Sequence, residues 1–336
     1  MRSNQKGILM KNKKQLKTKK PNQKLKLVSL FSGCGGNDLG FIGGFDFLDK
    51  HYHENPYQIV WANDISERAC MTYKKNFGNH IVHKNIWDVN IKKIPNTDIV
   101  TGGFPCQDFS VAGLRKGFNS NRGLLYLAMK KVIDTLKPKA FVAENVKGLL
   151  SMNEGKAVEK IKGDFTSSGY NVKISLMNAA NYGISQNRER VFIVGIRQDL
   201  KVSFQPPKPT HTPNSHLFLK RWVPVKQIIG DLENTPEGEV PNHFWSKAKR
   251  YPGTQGNIDI NPNKPGPTMR AEHHGNIEFH YNGKRRLSAR EAARIQSFPD
   301  TFLFYKSNSD AYRQIGNAVP PILAWHVAQT LAKTLL

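Results

Sequence analysis

The chain has 336 residues, with 50 Lys+Arg against 26 Asp+Glu and a formal net charge of +24. That length allows about two domains at ~150 residues each, and 38% hydrophobic with 10% aromatic residues excludes a wholly disordered chain. The cysteines Cys34, Cys70 and Cys106 are too few for a disulfide framework and point to a reducing compartment, no apolar run approaches the ~18–20 residues of a membrane span, and the basic balance suggests a polyanionic partner, most simply nucleic acid.

Residues 1–24 form an expected basic, disordered tail. From Met1 to Lys26 the chain carries Arg2 and nine lysines with no acidic residue. No apolar stretch there reads as a secretory signal, and a cytoplasmic protein is expected. From Leu25 the pattern alternates. Short apolar runs at Leu27–Leu30, Ile59–Ala62, Ile99–Thr101 and Ala140–Ala143 predict buried strands. A helix at Glu67–Asn76 follows the second run. Leu125, Met129, Val132, Ile133 and Leu136 make one apolar helical face between the third and fourth. Lys156–Ser167 predicts another helix, and Val172–Leu176 and Val191–Ile196 predict two late strands. This order argues for an open α/β sheet with helices on both faces, spanning residues 25–198.

After Asp199 the texture changes. Eleven of the 19 prolines lie between Asp199 and Lys284, which predicts a smaller, loop-rich domain over residues 199–285. Helical signal resumes at Leu287–Ile295, behind a Ser288 N-cap with Glu291 three residues on. It returns at Pro320–Leu335, where proline suits a helix start. Residues 286–336 are expected to return to the first domain.

Polar or special segments follow the four predicted strands directly: Phe31-Ser32-Gly33-Cys34-Gly35-Gly36, Asn63-Asp64, Gly103-Phe104-Pro105-Cys106-Gln107 and Glu144-Asn145-Val146. At the carboxyl ends of strands in an open sheet, all of them would face one crevice. The glycines permit a tight turn and close approach to a ligand. Asp64 suits the hydroxyls of a ribose, or else caps the following helix, a task Ser66 serves equally. Cys106 is either a small buried hydrophobe or, in its glycine-rich loop, a stabilised thiolate. Glu144 beside it does not resemble a protease pair. Arg188, Glu189 and Arg190 read in isolation as an exposed turn. His273 and His274 lack ligand spacing, so no metal site is expected.

Ordered blocks carry a resemblance. With Phe31–Gly36, Gly103–Gln107 and Glu144–Val146 come Gln186-Asn187-Arg188-Glu189-Arg190, Arg290-Glu291-Ala292-Ala293-Arg294 and Gln314-Ile315-Gly316-Asn317. In this order the chain resembles the cytosine-C5 DNA methyltransferases of bacterial restriction–modification systems. The resemblance implies a doubly wound, mostly parallel, Rossmann-like sheet, S-adenosyl-L-methionine as cofactor, and a cytosine flipped out of double-stranded DNA as substrate. It implies catalytic roles for Cys106 as the nucleophile at C6, for Glu144 on N3 and the exocyclic amine, and for Arg188 and Arg190 around the base carbonyl. Cofactor contacts carry over to Phe31, Gly33, Gly35, Asp64, Ile65, Asn85, Ile86, Pro105, Leu125 and Asn317. Ile65 stands where the family often has an aromatic residue, and Asn85 where it usually has Asp. DNA contacts carry over to Gln107, Ser110, Thr268 and Arg270. Residues 199–285 would be the target-recognition domain, with Lys247, Lys249, Arg250, Lys284, Arg285 and Arg286 as further cations for phosphates and guanines. The resemblance further implies pairing with a restriction endonuclease, and a monomer is expected. Two alternatives stay open: an RNA cytosine methyltransferase on the same scaffold, and a non-catalytic nucleic-acid-binding descendant.

Overall fold

Strand β1 (Leu25–Leu30) buries every residue but Lys26, as a central strand covered on both faces must. The computed structural model describes residues 24–104, 125–214, 217–247, 249–250, 258–271, 278–305 and 307–336. The basic tail up to residue 23 and the His273–His274 pair lie outside them. After β1 come α1 (Gly36–Ile42), β2 (Phe45–Phe47), β3 (Lys50–Tyr52), β4 (Tyr57–Asp64), α2 (Glu67–Phe77), β5 (Ile81–His83) and β6 (Ile99–Gly102). Then follow α3 (Leu125–Leu136), β7 (Ala140–Val146), α4 (Lys156–Ser167), β8 (Tyr170–Asn178) and β9 (Glu189–Arg197).

Seven strands form one sheet in the order β5-β4-β1-β6-β7-β9-β8. Neighbours from β5 to β7 are parallel, whereas β9 runs antiparallel to both β7 and β8. The strand order reverses between β1 and β6, so the crevice above their carboxyl ends is a topological switch point. Side chains alternate across the sheet. Val191 and Ile193 of β9 pack with Met129 and Ile133 of α3 and Phe165 of α4. Phe192, Val194 and Ile196 pack on the opposite face with Phe41 and the C-terminal helices. The sheet is therefore doubly wound, as expected.

Beyond β9 the described residues hold only short elements until residue 289: β10 (His211–Thr212), β11 (Lys220–Arg221) and α5 (Val225–Ile229). The chain closes with α6 (Ala289–Ile295), α7 (Asn308–Asn317) and α8 (Pro321–Leu335). Ser288 and Glu291 form the reciprocal capping box at the start of α6. Val225, Ile228, Ile229, Ile260 and Met269 share one apolar cluster with Leu287, Ile295 and Phe298. The loop-rich stretch is thus anchored on the C-terminal helices. Helix α1 meets α8 so closely that a Cβ on Gly40 would lie 2.3 Å from the Pro321 carbonyl oxygen. Only glycine permits that approach.

Asp38 of α1 is fully buried beneath the loop that follows β1. Its Oδ1 accepts a 2.7 Å hydrogen bond from Ser29 Oγ, while Oδ2 makes none. Burial pushes its pKa up to about 6. A carboxyl raised in the folded state contributes stability at low pH that is lost as pH rises through the folded value. Asp38→Asn is therefore expected to stabilise the protein by up to ~3 kcal/mol near pH 8 and by little near pH 4. Chemical denaturation at both pH values tests this, and equal changes would contradict it.

Candidate active site

The loop above β1 is bent by positive φ angles at Phe31 (52°), Gly33 (56°) and Gly35 (96°). A Cβ on Gly35 would strike the Phe77 ring at 2.2 Å, while the space beside Gly33 is open. Asp64, at the end of β4, accepts 2.8 Å hydrogen bonds from Gly33 N through Oδ2 and from Ser66 N through Oδ1. Ser66, not Asp64, is the N-cap of α2. The Asp64 carboxylate thus ties the glycine loop to the next strand. Burial raises its pKa, opposed by the Ser66 and Gly33 N–H groups and by His83.

Around this loop the structure gathers most of the expected cofactor residues. Ile65 is 67% exposed, and Ile86 is buried. Asn85 follows β5, beside β4, and its side-chain oxygen caps the short turn at Trp87 N. Phe31 and Leu125 pack on one apolar cluster. Gly36 lies against Ala318 and Val319, so Asn317 is brought back beside the first loop. Gly316 and Asn317 close helix α7. Pro105, Cys106, Gln107 and Ser110 lie outside the described residues.

The second cluster stands at the end of β7. Arg190 pairs with Val146 across the β7–β9 ladder and Glu144 with Phe192, so the two charged side chains are diagonal neighbours on one face. Arg190 Nε lies 2.9 Å from Glu144 Oε1, with 11% and 14% of the side chains exposed. Burial raises the Glu144 pKa, against the pull of Arg190 and then Arg188. A Cβ on Gly103 would lie 3.1 Å from Glu144 Oε2, and Asn145 Nδ2 donates to Phe104 O at 2.9 Å. The segment that leads into Pro105-Cys106 is therefore fastened beside the carboxyl.

Arg188 is buried and differently engaged. Its Nη1 donates to Met269 O at 2.9 Å, and its Nη2 donates to Gly316 O at 2.7 Å and Ala318 O at 3.0 Å. One guanidinium, on the residue just before β9, joins the loop-rich stretch and the C-terminal segment. Alongside, Asn187 N donates to Gly266 O, and Thr268 Oγ1 donates to Asn187 O at 2.7 Å. Arg270 is exposed, with its backbone pressed on Gly316. A cavity of about 500 Å³ opens here, lined by Lys147, Asn178, Asn187, Glu189, Arg190 and Thr268 among others. Sequence reasoning did not single out Lys147 or Asn178. The only signal for Lys147 is its place directly after Glu144-Asn145-Val146.

Some cations expected at DNA are engaged within the fold. Arg285 makes two 2.7 Å hydrogen bonds to Glu291 and lies 4.5 Å over the Trp245 ring. Arg286 is buried over Phe279, and Arg250 pairs with Asp259. Arg290 donates to the carbonyls of Pro241, Pro299 and Phe302. These contacts hold the loop-rich stretch onto α6.

A family model described as C-5 cytosine-specific DNA methylase matches residues 25–261 and 233–333. The chain is 40% identical over 329 residues to the Type II methyltransferase M.NgoFVII of Neisseria gonorrhoeae, covering 89% of this chain and 84% of that one. It is 36% identical to the Type II methyltransferase M.FnuDI of Fusobacterium nucleatum, covering 93% and 95%. Among solved structures, the Entamoeba histolytica methyltransferase EhMeth shares the fold with a TM-score of 0.68, at 18% identity over 93% of this chain and 99% of that one.

Proposed function

The chain belongs to the C-5 cytosine-specific DNA methylase family, and from that premise we propose that it methylates a cytosine within one short DNA sequence through a covalent Cys106 intermediate. The observation that carries this reading is the buried Glu144–Arg190 pair, fastened through Gly103 and Asn145 to the segment that leads into Cys106. Supporting it, Cys34 and Cys70 are buried thiols, pushed up to about 12 and about 11, and are poor nucleophiles.

S-adenosyl-L-methionine would supply an electrophilic methyl group. The residues fit such a cofactor: the bent loop leaves open space beside Gly33, and the Asp64 carboxylate stands next to it with lone pairs for ribose hydroxyls. Phe31, Gly35, Ile65, Asn85, Ile86, Leu125 and Asn317 would complete the pocket with Pro105.

In this reading the Cys106 thiolate adds to C6 of the cytosine, and the C5–C6 double-bond electrons make C5 nucleophilic. Glu144, protonated in its buried site, donates to N3 and accepts from the exocyclic amine. Arg190 holds that carboxyl and lines the cavity that would receive the base, while Arg188 fixes the surrounding segments. C5 takes the methyl group, a base removes the C5 proton, and the returning electrons expel the thiolate. The cytosine must leave the helix because C6 is unreachable in the stack. Thr268, Arg270, Gln107 and Ser110 would contact the DNA, with residues 199–285 selecting the sequence. Protection of host DNA from a partner endonuclease, in the cytoplasm, is the corresponding biological role. Among the described residues, no helix is long and apolar enough to cross a membrane.

The test is methyl transfer from labelled cofactor to unmethylated genomic DNA, with base-resolution mapping. Wild type is expected to place 5-methylcytosine in one short context, and Cys106→Ser to place none while still binding cofactor. A 5-fluorocytosine at the mapped base should trap the wild type covalently, since fluorine cannot leave as a proton does. Near-normal turnover in the serine variant would remove Cys106 as nucleophile, and label on RNA alone would overturn the DNA substrate.

A further inference from the structure

The cavity beside Glu144 has two charged levels. Inside, Arg190 is engaged by Glu144 Oε1 and by the Glu189 carbonyl oxygen at 2.8 Å. At the rim, Lys147 Nζ lies 2.8 Å from Glu189 Oε2, and the two side chains are 59% and 40% exposed. The backbone enforces this second pair. Lys147 follows the last residue of β7, Glu189 opens β9, and the adjoining Val146 and Arg190 face one another in the antiparallel ladder. Both side chains line the cavity.

We propose that Lys147 is a binding site for a DNA backbone phosphate, occupied in the free protein by the Glu189 carboxylate. The inference rests on the proposed function, in which a nucleotide enters this cavity. A nucleotide cannot enter without its flanking phosphates, and those charges must meet a cation at the rim. Arg188 is committed to three backbone carbonyls and Arg190 to Glu144. Among the described residues, Lys147 holds only the exposed Glu189 carboxylate, and an ion pair so open to water is weakly held. Exchange of Glu189 for phosphate costs little and releases a DNA counterion. Glu189 stays at the rim as a like charge to the incoming phosphate, so it restrains DNA affinity even as it keeps Lys147 in place.

The two partners therefore predict opposite signs. Lys147→Gln is expected to weaken binding to a short duplex carrying the mapped target about 3- to 10-fold and to lower the salt slope by about 1. Glu189→Gln is expected to tighten binding about 2- to 5-fold, because repulsion is lost and the lysine is released. Titration of each variant and of wild type across salt concentrations reads both quantities, with thermal denaturation confirming that the variants are folded. An ion pair that merely braces the strands would make both variants weaker together. Changes in the same direction, or unchanged affinity and slope, overturn the proposal. A wild type that methylates DNA while the variants fail in this way removes the phosphate site alone, whereas a wild type that leaves DNA unmodified removes the proposed function and this site with it.

Discussion

Arg188→Met is expected to lower the free energy of unfolding by roughly 3–5 kcal/mol and to abolish methyl transfer through loss of the folded site. The reason is the set of three carbonyls on Nη1 and Nη2. Met269 lies in the loop-rich stretch and Gly316 and Ala318 in the C-terminal segment, so one guanidinium just before β9 holds both. Truncation removes the Arg188 donors from the Met269 and Gly316 carbonyls, whereas Ala318 O keeps a 2.6 Å hydrogen bond from Gln296 Nε2. Arg188→Lys should rescue little, because an ammonium lacks the planar fork that reaches separated carbonyls. Arg190→Met should behave differently. Its loss leaves Glu144, but a carboxyl already pushed up by burial can stay neutral at small cost. That variant should unfold within ~1–2 kcal/mol of wild type while losing about 10²–10³ in rate. Urea denaturation and single-turnover methyl transfer on both variants separate the two roles. An Arg188→Met protein as stable as wild type would defeat the argument.

The contrast between these arginines marks the limit of what the sequence makes legible. Six strands and the helices at α2, α3, α4, α6 and α8 follow from apolar periodicity, and four polar segments do fall at strand ends. The Ser288–Glu291 box was equally readable, because its partners lie three residues apart. Helix α1 is hidden because Gly36 and Gly40 carry the wrong propensity; they are there for the approach of Val319 and Pro321, about 280 residues further along the chain. Helix α7 was hidden because its residues are largely polar and its burial comes from tertiary contacts. Arg188 and Arg190 occupy one motif, two positions apart, and nothing local distinguishes them. Only their partners do. Likewise Arg285 and Arg286 read as DNA-facing charges until Glu291 and Phe279 are seen beside them. Contacts distant in sequence decide which charges brace the fold and which remain for the substrate.

Glu144→Gln isolates the proton from the geometry. The amide keeps the size of the side chain, can still donate to N3, and can still accept from Arg190, so folding should change by no more than about 1 kcal/mol. It cannot give up a proton, and the rate should fall by about 10²–10⁴. The pH dependence carries the sharper expectation. Burial is the largest influence on Glu144 and raises its pKa above the usual carboxylate range, with Arg190 and Arg188 opposing. The protonated form therefore persists to higher pH than in an exposed glutamic acid. Catalysis that needs this proton falls as pH climbs through the raised value, giving wild type a descending limb on the alkaline side of it. The Cys106 thiolate imposes the opposite trend, so the wild-type profile should be bell-shaped. In Glu144→Gln the descending limb should vanish, leaving a rate that only rises with pH toward a lower plateau. Single-turnover rates across pH on saturating DNA measure this directly. If the variant kept both limbs, the acid would have to be another group, and the buried Glu144–Arg190 pair would be a brace for the strand ends instead of the proton donor.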